Sequence, residues 1–175
     1  MLVLVVGPSG AGKDTLLAAA KQTLATDKRF HFARRVITRS ASAGGESHEA
    51  VTEAEFSTRG FALQWQAHGL RYGIADDAVG AAPVVIANVS RTVINDAASR
   101  FPVRVIEVTA PPAILALRLA SRGREDAEDV SARLARAVAL PPKVPVETII
   151  NDGTLQDAVA SFLAALSRAA SDVPR

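Results

Sequence analysis

Five apolar residues, Leu2-Val3-Leu4-Val5-Val6, run directly into Gly7-Pro8-Ser9-Gly10-Ala11-Gly12-Lys13, after which Leu16, Leu17, Ala20 and Leu24 recur at helical spacing. No other feature constrains the chain as strongly. The glycine-rich stretch fits the start of G-x-x-x-x-G-K-[ST] and stands where that pattern has a mechanism, after a buried strand and before a helix. Its glycines let successive backbone N–H groups point into one concavity, the helix N-terminus adds about half a positive charge, and Lys13 can reach the outer phosphates of a nucleotide. Gly7, Pro8, Ser9, Gly10, Ala11, Gly12, Lys13, Asp14 and Thr15 are therefore the candidate nucleotide-phosphate residues.

The rest of the chain continues the pattern. Continuous apolar runs at Val84 to Ala87, Val103 to Val108 and Thr148 to Ile150 read as strands buried in a parallel sheet. Helices are expected between them. One begins at Pro112 and runs to Ser121, one spans Glu128 to Leu140 before Pro141-Pro142, and Thr154-Leu155-Gln156-Asp157 opens a last one that ends near Ala169. Alternating strand and helix predicts an α/β fold, a doubly wound parallel sheet of the P-loop NTPase kind. Residues 33–75 break the rhythm with short alternating, polar, Gly-containing pieces, which predicts an inserted lobe within a single 175-residue domain.

Composition narrows the chemistry. With no Cys, thiol nucleophiles, thiolate metal sites and iron–sulfur clusters are excluded. The apolar opening is too short for a signal sequence, and no run approaches the length of a membrane span, so a cytoplasmic protein is expected. Basic residues comprise 16 Arg and 4 Lys. Guanidinium forks suit phosphates and carboxylates, although most surface Arg are simply solvated. No basic stripe interleaved with aromatics marks a nucleic-acid surface.

The eighth position of the loop pattern carries Asp14, with Thr15 next, and the strand ending at Ala87 continues into Asn88-Val89-Ser90-Arg91. Nucleotide kinases with such loops hold Mg²⁺ through a hydroxyl there and an acidic residue on a second strand. Here that strand offers an amide. Asp14 is expected to supply, directly or through water, the negative charge that Asn88 lacks; the plainer reading is an acid favoured by the helix dipole. Ser90 and Arg91, following a strand's carboxyl end, lie where doubly wound sheets bind ligands.

Further motifs resemble the guanylate kinase family. Thr38-Arg39 followed by Gly45-Glu46, and Ala67-His68-Gly69-Leu70-Arg71-Tyr72-Gly73, look like its acceptor-phosphate segments, which implies that Arg39 and Tyr72 hold the acceptor phosphate. Arg118-Leu119, Arg122-Gly123-Arg124-Glu125 and Arg133-Leu134-Ala135-Arg136 look like its arginine-bearing lid, about residues 120–137, with Arg122 and Arg133 at matched positions on the transferring phosphoryl. Asn151 and Asp152 fall where that family lines the adenosine pocket.

Departures from that family concern the base. Its guanine-reading Glu and hydroxyl fall at Leu63 and Ile74, a base-side Ser falls at Arg35, and a Tyr donor is replaced near His48. Guanine against Leu and Ile would leave its donors unpaired. Arg35 and His48 instead suggest a second anion where the base would be, as in a pentose phosphorylated at both ends. His48 and His68 each also read as turn residues, and Trp65, alternating with Leu63 and Ala67, is expected in the core.

Gly-Pro-Ser-Gly-x-Gly-Lys-Asp, Ile37-Thr38-Arg39, Trp65-x-x-x-Gly69, Asn88-x-Ser90-Arg91, Arg122-Gly123-Arg124-Glu125 and Asn151-Asp152-Gly153 together closely resemble the ribose 1,5-bisphosphate phosphokinases of phosphonate catabolism. The resemblance implies ATP and Mg²⁺, with ribose 1,5-bisphosphate converted to 5-phosphoribosyl 1-diphosphate. Asp14 is the candidate metal residue, and Arg35, Arg39, His48, Tyr72, Ser90 and Arg91 make up the candidate acceptor set. Other readings are a nucleotide kinase with altered acceptor contacts, or a guanylate-kinase-like binding module, which commonly lacks the working loop that Gly12-Lys13 retains here.

Overall fold

The computed structural model describes residues 1–40, 48–120 and 143–173. Its centre is a five-stranded parallel sheet of β1 (Leu2–Val6), β2 (Phe30–Phe32), β7 (Val84–Asn88), β8 (Val103–Thr109) and β9 (Val146–Ile150), in the spatial order β2-β7-β1-β8-β9. All five residues of β1 are buried because both faces of the sheet are covered. Val3 and Val5 enter a core with Leu16 of α1 (Lys13–Thr23) and with Phe162 and Leu166 of α5 (Leu155–Ser171). Leu2, Leu4 and Val6 face the opposite core, with Val85, Val105 and Ile94 of α3 (Ile94–Arg100). One strand thus serves two cores.

The inserted lobe is a second, four-stranded sheet in the order β4-β3-β6-β5, from β3 (Arg35–Ile37), β4 (Glu49–Ala50), β5 (Phe61–Ala67) and β6 (Leu70–Ala75). A short helix, α2 (Glu53–Thr58), joins β4 to β5 and is opened by a Thr52–Glu55 capping box. β5 and β6 form a hairpin whose two-residue turn, His68-Gly69, has positive φ at both positions, the geometry that suits strand twist. That turn sets the register, so Leu63 faces Ile74 and Trp65 faces Tyr72.

Leu63 and Ile74, expected in the acceptor pocket, are instead core residues, 1% and 0% exposed, packed in the second core with Val85 and Ala87. They root the lobe to the sheet, and burial of each side chain contributes roughly 1.5–3 kcal/mol. Helix α3 fills the gap between β7 and β8, where a helix was expected without bounds, whereas strand β2 had no sequence counterpart: Phe30-His31-Phe32 is too short to show a period. α4 (Pro112–Ala120) starts at its proline, and Thr154 caps α5 by accepting from the Asp157 N–H, both as expected. The helix predicted over Glu128 to Leu140 lies outside the described residues. No helix among the described residues is long and apolar enough to cross a membrane.

Candidate active site

The loop between β1 and α1 keeps its shape through two close approaches that only glycine permits. A Cβ on Gly7 would collide with the Val108 carbonyl oxygen of β8, and one on Gly12 would collide with the Asn151 Nδ2. Gly12 also carries φ +93°, a left-handed conformation costly for other residues. Asn151, at the end of β9 and 7% exposed, donates from Nδ2 to the Ala11 carbonyl at 2.8 Å. The far strand therefore clamps the loop from behind. Lys13 bends over its front, its Nζ donating to the carbonyls of Gly7 (2.8 Å) and Pro8 (3.0 Å).

Asp14 and Asn88 meet although 74 residues separate them in sequence. β7 lies beside β1, so the end of β7 presents the Asn88 amide to the first turn of α1, and Nδ2 donates to the Asp14 Oδ1 at 3.1 Å. One carboxylate, steadied by a neutral amide, is thereby held beside the loop, at the edge of the cleft. That donor set fits Mg²⁺, which takes one or two carboxylates and completes its octahedron with water and nucleotide phosphates.

The cleft runs from this loop to the lobe, whose wall is built by Arg35, Trp65, Tyr72 and His68, with Asn88 and Ser90 on the flank. In the lobe sheet β6 lies between β3 and β5. Arg35 comes from one neighbour, its guanidinium 5.7 Å from the Tyr72 ring centre, and Trp65 comes from the other, stacked on Tyr72 at 5.4 Å and 8°. Trp65 is thus a cleft residue as well as a core one. Sequence alternation placed it on the inward face correctly but gave no sign that this face continues past Leu63 and Ile74 into the site. The hairpin register would have revealed it, since a two-residue His68-Gly69 turn must pair 65 with 72.

A second hollow lies on the other side of the loop, lined by Gly10, Gly12, Thr15, Arg118, Asn151 and Leu155, with Asp152 exposed next to it. It opens between the start of α1, the end of α4 and the start of α5. Its position behind the phosphate loop suits the adenosine end of a nucleotide.

Three members of the predicted acceptor set stand elsewhere. His48 is buried at 6% exposure, its carbonyl accepting from Arg34 at 2.7 Å, its Nδ1 3.5 Å from the Arg39 Nη2 and its Nε2 3.4 Å from the Arg39 carbonyl. A ring protonated on Nε2 satisfies both long contacts, donating to the carbonyl and accepting from the guanidinium. The parallel pairing of β3 with β4 lays Glu49 beside Val36, so His48 enters the lobe at the start of this pair and its ring packs on Arg39. Neither side chain lines the cleft. Arg91 is also turned away: its Nη2 donates to the Glu107 Oε1 of β8 at 2.5 Å, and Glu107 in turn accepts from Thr148 at 3.3 Å. Glu107 escaped sequence reasoning, although a lone carboxylate inside Val103–Thr109 was its signal. Ser90 keeps its place on the cleft while its Oγ accepts from the Thr92 N–H at 3.3 Å. Arg122 and Arg133, with Gly45-Glu46 and most of the expected lid, lie outside the described residues.

Comparison with known proteins follows the same lines. The AAA domain family matches residues 2–139. A guanylate kinase from Anaplasma phagocytophilum is similar in fold, with a TM-score of 0.66 at 15% identity over 96% of this chain and 85% of that one. Much nearer in sequence are two proteins named ribose 1,5-bisphosphate phosphokinase PhnN. The one from Acidiphilium cryptum is 51% identical over 95% of this chain and 92% of its own length, and the one from Brucella melitensis 48% identical over 92% and 88%. The likeness to guanylate kinase is one of fold, whereas identity near one residue in two along almost the whole of both chains shows that the chain belongs to the ribose 1,5-bisphosphate phosphokinase family.

Proposed function

We propose that the protein transfers the γ-phosphoryl group of ATP to the 1-phosphate of ribose 1,5-bisphosphate, yielding 5-phosphoribosyl 1-diphosphate and ADP, a step of phosphonate catabolism. The observation that carries this reading is the lobe wall facing the phosphate loop: it presents the Arg35 guanidinium beside Tyr72 and Trp65, while the two positions that would read a guanine edge are sealed in the core. A cationic fork selects a second phosphate over a heterocycle.

The chemistry asks little of the protein beyond alignment and neutralisation. An ionised oxygen of the 1-phosphate forms a bond to Pγ, the bond from Pγ to the β,γ-bridging oxygen breaks, and ADP leaves with that electron pair. No proton has to be removed, so no general base is needed. Lys13 and the loop N–H groups cradle the phosphates of ATP, Arg122 and Arg133 offset charge on the transferring group, and Asn151 and Asp152 border the adenosine end. Mg²⁺, carried in with ATP and held through Asp14, supplies further charge neutralisation. Arg35 grips the 5-phosphate side, with Tyr72 and Ser90 as further acceptor-side groups. Phosphorus NMR of a mixture of protein, ATP, Mg²⁺ and ribose 1,5-bisphosphate tests this directly. A new diphosphate signal with ADP is expected; efficient turnover of GMP with an inert bisphosphate would overturn the acceptor assignment.

A further inference from the structure

The chain holds one Trp and one Tyr, and both stand stacked together in the wall of the cleft. Tyr72 is 8% exposed, flanked by the Arg35 guanidinium on one side and the Trp65 indole on the other, so its ring faces are covered. Trp65 differs. It is half-buried, and among the described residues its strand β5 is the edge of the lobe sheet. Its inner part packs against the second core, which fixes the ring. Loop glycines, Lys13, Asp14, Arg35, Asn88 and Ser90 make the remaining surface of the cleft chiefly polar.

From this juxtaposition we infer that Trp65 is a specificity-determining residue of the acceptor site: its indole is the apolar floor on which the pentose ring of the acceptor rests. The inference depends on the pentose bisphosphate reading given above. Two phosphates are matched by cationic groups at either end, but a furanose between them also has a face of C–H bonds, and that face gains free energy only against apolar surface. A rigid aromatic ring offers such surface at low entropic cost, because its orientation is already fixed by Tyr72 and the core. Phosphate grip alone would accept any dianionic pair at the right distance. The indole adds selection for a ring.

The test uses the full-length enzyme and its Trp65→Ala and Trp65→Phe variants, with ribose 1,5-bisphosphate varied at saturating ATP and ATP varied at saturating acceptor. Contact over an area of about 60–80 Å² predicts that Trp65→Ala raises the acceptor KM by about 10- to 30-fold. The ATP KM should stay within about twofold and kcat within about threefold, the signature of lost binding that is equal in ground and transition states. Trp65→Phe should recover most of the loss. A purely structural Trp65 would move both KM values or neither. Independently of whether the variants fold, the single Trp of the wild-type enzyme should change its fluorescence when ribose 1,5-bisphosphate is titrated in with ADP and Mg²⁺ present. An active wild-type enzyme with a silent tryptophan, or an unchanged acceptor KM in Trp65→Ala, refutes this inference alone. A wild-type enzyme inert on the bisphosphate refutes the acceptor reading and this inference with it.

Discussion

Replacing Asn151 separates two jobs that this residue's position would permit. Its side chain borders the hollow suited to adenosine, and its Nδ2 also donates to the Ala11 carbonyl, an acceptor on a residue with no exposed surface. Asn151→Ala strips that carbonyl of its partner. Leaving a buried acceptor unsatisfied costs about 1–3 kcal/mol. For 175 residues, unfolding entropy near roughly 0.37 kcal/mol/K converts this to a Tm lower by about 3–8 °C. Water entering from the hollow pulls the cost of the alanine variant toward the lower figure. Asn151→Asp keeps the shape but removes the donor and sets a carboxylate against the carbonyl, so it should cost at least as much. Differential scanning fluorimetry without nucleotide measures both, and ATP saturation kinetics measure the consequence for the loop, expected as a raised ATP KM. A Tm unchanged to within about 1 °C in Asn151→Asp, together with a raised ATP KM, would make the residue a nucleotide contact and refute the clamp.

Other consequences are as direct. Asp14→Asn should shift the Mg²⁺ activation curve to about tenfold higher concentration or more, with part of the rate recovered at saturating metal; an unchanged metal requirement would leave Asp14 as a helix-start acid only. Arg35→Ala removes charge-assisted hydrogen bonds worth about 1.5–3 kcal/mol each, so the acceptor KM should rise about 10- to 100-fold with little change in kcat; equal loss in both parameters contradicts a binding role. Glu107→Gln breaks a half-buried ion pair with Arg91, and chemical denaturation should show a loss of about 1–2 kcal/mol that is largely absent when Arg91 has already been replaced by alanine. Gly12→Ala meets both the collision with Asn151 and a left-handed backbone, and should abolish ATP binding in calorimetry even where the protein still folds.

What could be read from the linear chain was whatever one element carries within itself. The strand–loop–helix at residues 2–23 needs only its own apolar period and glycine spacing, and the long parallel strands declare themselves because burial on both faces makes them continuously apolar. Pro112 and Thr154 mark helix starts for the same local reason. What required the fold was every relation between distant segments. Asp14 meets Asn88 because β7 lies beside β1. Asn151 clamps Ala11 because β9 and the loop converge at one end of the sheet. His48 leaves the acceptor set because its ring is buried within the lobe against Arg39, and Trp65 joins the site because the face it shares with Leu63 passes from core to cleft along a single strand. Residue type and period are properties of a segment, whereas which side chains share a cavity depends on strand order and register, and these are set by the packing of the whole chain.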